Sequence, residues 1–130
     1  MFTGVINMTI SDAEALVMEV LWQKNPLAAE EVIAELSARI DWAEPTIKTL
    51  LNRLLNKGAI QAEKEGRRYL YTPVLARDVW IGQQSEGMLE RLFGGRVAPL
   101  VAHFSERGKL SAADIAELRK LIEELGDVRN

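Results

Sequence analysis

A mainly α-helical chain carrying one short β wing, with an N-terminal domain followed by a separate helical domain, is what this sequence predicts. Three observations predict it. Apolar residues recur at three-and-four spacing through most of the 130 residues. Only the stretch "AIQAEKEGRRYLYTP" at 59–73 switches to alternation, and no strand signal returns after it. With 48% apolar residues the chain can build a core, and its length suits one full domain or a small domain with an appendage.

The first helix starts at Ser11, which with Glu14 forms a capping box in which each side chain satisfies a free backbone amide. Ala13, Leu16, Val17, Val20 and Leu21 repeat at helical spacing, and "KNP" at 24–26 ends the run. "AAEEVIAELSARI" is the second helix, with Val32, Ile33 and Leu36 inward and Glu30, Glu31 and Glu35 outward. Ala28 stands at its start, where a Ser or Thr would cap better. The third helix opens on Pro45, whose ring presets the backbone angle, and closes at Gly58, suited to a left-handed cap. Ile47, Leu50, Leu51 and Leu54 form its apolar stripe. The other surface carries Thr46, Lys48, Thr49, Asn52 and Arg53, side chains able to bond phosphate oxygens and reach base edges.

Two strands, Ile60–Lys64 and Arg67–Thr72, flank an "EG" turn, with Pro73 ending the second and Lys64, Arg67 and Arg68 clustered at the tip. Three helices followed by a basic-tipped hairpin is the winged helix-turn-helix order, in which the third helix enters the major groove of duplex DNA and the wing touches the backbone. The same face is also what a winged helix used as a protein–protein module would show, and charge runs are commonly solvated faces.

Residues 76–130 predict three further helices, "LARDVWIGQQSEGMLERLF" (which starts at Leu75), "VAPLVAHFSERG" and "SAADIAELRKLIEELG", the last opening on a Ser111/Asp114 near capping box. About 55 residues of this kind can hardly bury their apolar stripes alone, which points to a second copy of the chain and a symmetric homodimer. The expected dimer core is drawn from Trp80, Leu92, Phe93, Leu100, Phe104, Ile115, Leu118, Leu121 and Ile122. Two other arrangements compete with it. The bundle could fold back on the first domain, or Trp80, Met88, Leu92, Phe93 and Phe104 could hold a small effector. The expected division is an N-terminal extension at 1–8, a winged helix-turn-helix domain at 9–75 and a helical dimerisation domain at 76–130.

Composition excludes several function classes. The chain has no cysteine and one histidine, His103, so thiolate catalysis, disulfides and Cys- or His-cluster metal sites are ruled out, and no metal or cofactor is expected. No catalytic constellation or phosphate loop is present, so an enzyme is not expected. No apolar run is long enough to span a membrane and the opening "MFTGVINMTI" has no secretory pattern, so the expected compartment is the cytoplasm. The net charge of -3 hides its distribution: residues 48–68 hold six basic residues against two acidic, while 1–47 hold two against eight. A basic face, and not the total charge, is what duplex binding needs.

Four separated segments, "ISDAEALVMEVLW" (10–22), "DWAEPTIKTLLNRLLNKGAI" (41–60), "EKEGRRYLYTP" (63–73) and "LVAHFSERGKLSAADIAELRKLIEEL" (100–125), together resemble the penicillinase-repressor and methicillin-resistance-repressor (BlaI/MecI) family, which also includes copper-transport repressors. The resemblance implies a cytoplasmic homodimeric repressor on double-stranded DNA, at a palindromic operator of the TACA/TGTA kind. It also implies Thr46, Lys48, Thr49 and Arg53 as reading residues and Lys64, Arg67 and Arg68 as wing contacts. Family members governed by antibiotic-sensing membrane receptor systems are cleaved beside a phenylalanine that maps to the His103–Phe104 bond; His103 stands where the best-known members have asparagine. Glu44 and Pro45 stand where familiar members have proline and lysine, which replaces a cation by an anion near the phosphates. The copper-responsive branch uses paired cysteines, which this chain lacks.

Overall fold

In the computed structural model residues 8–129 are described, and the chain divides into two compact units, Met1–Gly82 and Gln83–Asn130. The first unit is built on three helices and a three-stranded sheet. Helix α1 (Asp12–Gln23) is followed by strand β1 (Leu27–Ala28), α2 (Ala29–Ser37), α3 (Glu44–Lys57) and the hairpin β2 (Ile60–Glu65) and β3 (Arg68–Pro73). The sheet order is β1-β3-β2, antiparallel throughout.

The capping box at α1 is complete: the Ser11 amide donates to Glu14 Oε1 at 2.7 Å and the Glu14 amide to Ser11 Oγ at 3.1 Å. Because Glu14 is drawn inside, the buried stripe is rotated from the expected one. Met18 is fully buried and Leu16 is 42% exposed. Val17, Met18 and Leu21 of α1 meet Val32 and Leu36 of α2 and Ile47, Leu51 and Leu54 of α3 in one core, extended by Ala59, Ile60 and Leu75. Each fully buried side chain of this size contributes about 1.5–3 kcal/mol of hydrophobic free energy.

Helix α2 is shorter than its sequence pattern, ending at Ser37 instead of Ile40. Its start is satisfied from one side only, by the Ala28 amide donating to the Glu31 carboxylate at 2.8 Å. Leu27 and Ala28, the latter expected in the helix, pair with Tyr71 and Leu70 as a third strand. The hairpin turn also moves. Glu65 still pairs with Arg68, so the two turn residues are Gly66 and Arg67, with glycine at φ +66° in the first central position, as a type II′ turn requires. Gly58 caps α3 at φ +81°, as expected, and the Ala59 amide returns to the Leu54 carbonyl.

Of the extension expected over 1–8, residues 1–7 lie outside the described residues and Met8 packs against the core. Helix α4 (Arg77–Phe93) begins in the first unit. Arg77 pairs with Glu19 at 2.9 Å, the Trp80 ring lies 5.3 Å from Trp22, and Trp22 Nε1 donates to the Leu75 carbonyl at 2.8 Å.

The second unit contains the rest of α4, then α5 (Val97–Glu106) and α6 (Ala112–Arg129). Ser111 and Asp114 form the expected reciprocal box, with bonds of 3.1 and 3.0 Å. Among the described residues, every buried apolar side chain lies between Ile10 and Leu75, so this unit has no buried core of its own. An apolar groove of about 290 Å³ runs between α5 and α6, lined by Leu100, Val101, Phe104, Leu110, Leu118 and Leu121 together with Asp114 and Glu117.

Candidate nucleic-acid interface

Helix α3 is amphipathic in the strict sense. Ile47, Leu50, Leu51 and Leu54 are buried, and Thr46, Lys48, Thr49, Asn52 and Arg53 are all exposed on the remaining surface. They divide between two flanks. Thr46, Thr49 and Arg53 line an open depression of about 290 Å³ with Pro45 and Leu50. Lys48 and Asn52 line a second, of about 200 Å³, with Ala29, Leu51 and Tyr71. The helix therefore offers donors along its full outer width. Burial of the opposite stripe fixes which way that width points.

The wing is less uniform than its sequence suggests. Lys64 is opposite Tyr69, and Glu65 opposite Arg68. Directly paired residues project to the same side and successive ones to opposite sides, so Lys64 and Arg68 leave the hairpin on different faces, with Arg67 in the turn between them. All three are exposed. Arg68 lies 3.9 Å from the Glu65 carboxylate and 4.0 Å from that of Glu31.

Not every cation of the basic stretch joins this surface. Lys57 Nζ donates to the Thr9 carbonyl at 3.1 Å and pairs with Glu14, tying the last turn of α3 to the start of α1. Burial of the Glu14 carboxyl pushes its pKa up, but the Lys57 ammonium and the Ser11 donors outweigh that and hold it below the ordinary carboxylate value. Lys48 is paired with Glu44 one turn earlier at 3.1 Å, both side chains more than half exposed. Three residues at this face carried no sequence signal as site residues. Pro45 reads as a helix starter, Ala29 as an ordinary residue of the second helix and Tyr71 as part of the second wing strand.

The expected dimer residues are distributed unevenly. Trp80 is packed on Trp22 within the first unit. Leu92, Ile115, Leu121 and Ile122 are exposed, Ile122 to 66%, as is Phe104; Phe93, Leu100 and Leu118 are half-buried. Phe93, His103 and Phe104 form a chain of ring contacts at 5.9 and 5.5 Å, and the His103–Phe104 bond lies within α5. Among the described residues, no group of three or more acidic or histidine side chains is arranged to hold a metal ion, and no helix is long and apolar enough to cross a membrane.

Three packed helices, a hairpin wing and a polar, basic outer face on the third helix define a winged helix-turn-helix protein of the nucleic-acid-reading type. The chain belongs to the penicillinase-repressor family, whose profile matches residues 10–124. The family is one of transcriptional repressors, not of enzymes. It is 41% identical over 115 residues to the penicillinase repressor of Bacillus licheniformis, covering 88% of this chain and 90% of that one. It is 32% identical to the methicillin resistance regulatory protein MecI of Staphylococcus aureus strain N315, covering 87% and 92%. Among solved structures it is similar to the DNA-binding domain of the repressor BlaI, with TM-score 0.52 and 44% identity over 55% of this chain and 88% of that one. It is also similar to the monomeric form of Bacillus licheniformis BlaI in complex with the blaP half-operator, with TM-score 0.50 and 45% identity over 55% and 87%.

Proposed function

We propose that this protein is a DNA-binding transcriptional repressor that works as a homodimer in the cytoplasm on a palindromic operator of the TACA/TGTA kind. The observation that carries the reading is the outer face of α3, where Thr46, Lys48, Thr49, Asn52 and Arg53 are all exposed, the position from which a reading helix meets a major groove. The wing adds sequence-independent phosphate contact through Lys64, Arg67 and Arg68. The BlaI complex with its half-operator supports the same use of this domain.

The second unit supports the dimer. Leu92, Leu121, Ile122 and Leu125 are 55% to 66% exposed in the single chain, an apolar surface that a second copy would cover. A two-fold dimer holds two reading helices at a fixed spacing, which is what a palindrome demands. Release of the operator by cleavage at the His103–Phe104 bond, through a membrane sensor-protease system, is the regulatory part of the proposal. Mass analysis of the protein from cells treated with a β-lactam tests it, and an intact chain after treatment would refute it.

Fluorescence anisotropy on duplexes from the gene's own upstream region, against scrambled duplexes over a salt series, tests the main reading. Tight palindrome-dependent binding that falls steeply with salt is expected. Equal weak binding to both duplexes would refute it and favour a protein-binding module.

A further inference from the structure

The ion pair at the start of α3 has the donor and acceptor pattern of one base pair. We propose that Glu44 and Lys48 read a single G·C pair of each operator half-site as a unit, Lys48 donating to guanine O6 and N7 and Glu44 accepting from the cytosine N4 amino group. The inference rests on the DNA-reading role proposed above for α3.

Several observations converge on it. Glu44 occupies the first turn of α3, the part of a reading helix that meets base edges. Its side chain is 59% exposed and its Oε2 sits 3.1 Å from Lys48 Nζ. Thr46 is exposed beside it, and Lys48 opens onto the depression shared with Asn52. A carboxylate in a major groove meets repulsion from nearly everything there: phosphates, guanine O6 and N7, thymine O4. Adenine offers an amino group, but its N7 acceptor lies next to it. Cytosine alone presents a donor with no neighbouring acceptor of its own. Lysine, a donor three times over with no acceptor, is suited to guanine.

Across the major-groove edge of a G·C pair the order is acceptor, acceptor, donor. Guanine O6 and cytosine N4 are hydrogen-bonded to each other, and so are about 2.9 Å apart. The two charged heads of the Glu44–Lys48 pair are separated by almost the same distance. The pair can therefore dock on the base pair without being broken, and each charge remains compensated as water leaves the groove. Pro45, between them in sequence, limits the freedom of the first turn from which Glu44 projects.

The test uses the full chain and a duplex selected on it from a randomised library. Every base pair of that duplex is then permuted in turn, and binding is measured for the wild type, Glu44→Ala and Glu44→Gln. The wild type should prefer G·C at one position of each half-site by about 5- to 150-fold. Glu44→Ala should erase most of that preference at that position and leave the others intact. Glu44→Gln should move it toward A·T, since glutamine pairs with adenine N6 and N7. All three proteins should melt alike by tryptophan fluorescence, because the Glu44 side chain is largely exposed. If Glu44→Ala instead raises affinity equally for every permuted duplex, the carboxylate is only a charge near phosphates and the proposal is overturned. A wild type with no base preference anywhere would overturn the DNA-reading role beneath it.

Discussion

Replacing Lys57 with methionine keeps the length of the side chain and removes its charge, leaving the Glu14 carboxylate stranded. Glu14 is 2% exposed and its ammonium partner 38%. Removing one partner of a fully buried pair costs about 3–5 kcal/mol. Here water reaches the lysine side, and the Ser11 amide still donates to the carboxylate at 2.7 Å, so we expect a smaller loss of about 2 kcal/mol at neutral pH. For a unit of this size that lowers the melting temperature by about 8–16 °C. Urea unfolding followed by tryptophan fluorescence isolates the effect, because Trp22, Trp42 and Trp80 all belong to the first unit.

The pH dependence separates a charge effect from simple repacking. Glu14 titrates below its ordinary value in the folded protein, so the pair's contribution is complete above the ordinary carboxylate pKa and is lost as pH falls through the lowered folded one. In the methionine variant burial acts on Glu14 with less opposition, and its carboxyl takes up a proton earlier. The difference in stability between the two proteins should thus shrink as pH is lowered from about 6 to about 3. A difference that stays constant over that range, or one below about 0.5 kcal/mol at pH 7, would refute the assignment of a buried pair.

Other consequences are more direct. Arg53→Ala should weaken operator binding by about 1–3 kcal/mol and relax preference at one position, as measured by anisotropy on permuted duplexes. Arg67→Ala, in the wing turn, should lower affinity for all duplexes and reduce the salt slope by about 1 per protomer. Changing Leu118 and Leu121 together to glutamate should give a monomer in analytical ultracentrifugation with much weaker palindrome binding, while the tryptophan-monitored unfolding of the first unit is retained; a monomer that still binds the palindrome tightly would refute the dimer mechanism. Gly58→Ala should cost about 1–2 kcal/mol: nothing lies within 4 Å of an added Cβ, so the penalty is the left-handed backbone alone.

What the sequence by itself determined was encoded within a few residues. The Ser11/Glu14 and Ser111/Asp114 boxes, the Gly58 cap and the apolar stripe of α3 depend on partners three or four positions away, and their side chains name them. The polar surface of α3 follows from the same periodicity, which is why its five exposed candidates were legible. What required the tertiary structure was pairing across long stretches of chain. Leu27 and Ala28 form a strand only because β3 offers a free edge, and two residues cannot display a period of two. Lys57 is held by groups 43 and 48 residues earlier and Trp22 by a carbonyl 53 residues later, distances over which sequence carries no address. The wing's cations lie close together in sequence, yet Lys64 and Arg68 leave on different faces by strand alternation, and the one-residue shift of the turn takes Arg67 out of the expected strand and into the turn. Local chemistry thus specified the elements and their exposed residues, while long-range packing decided which charges remain free to act.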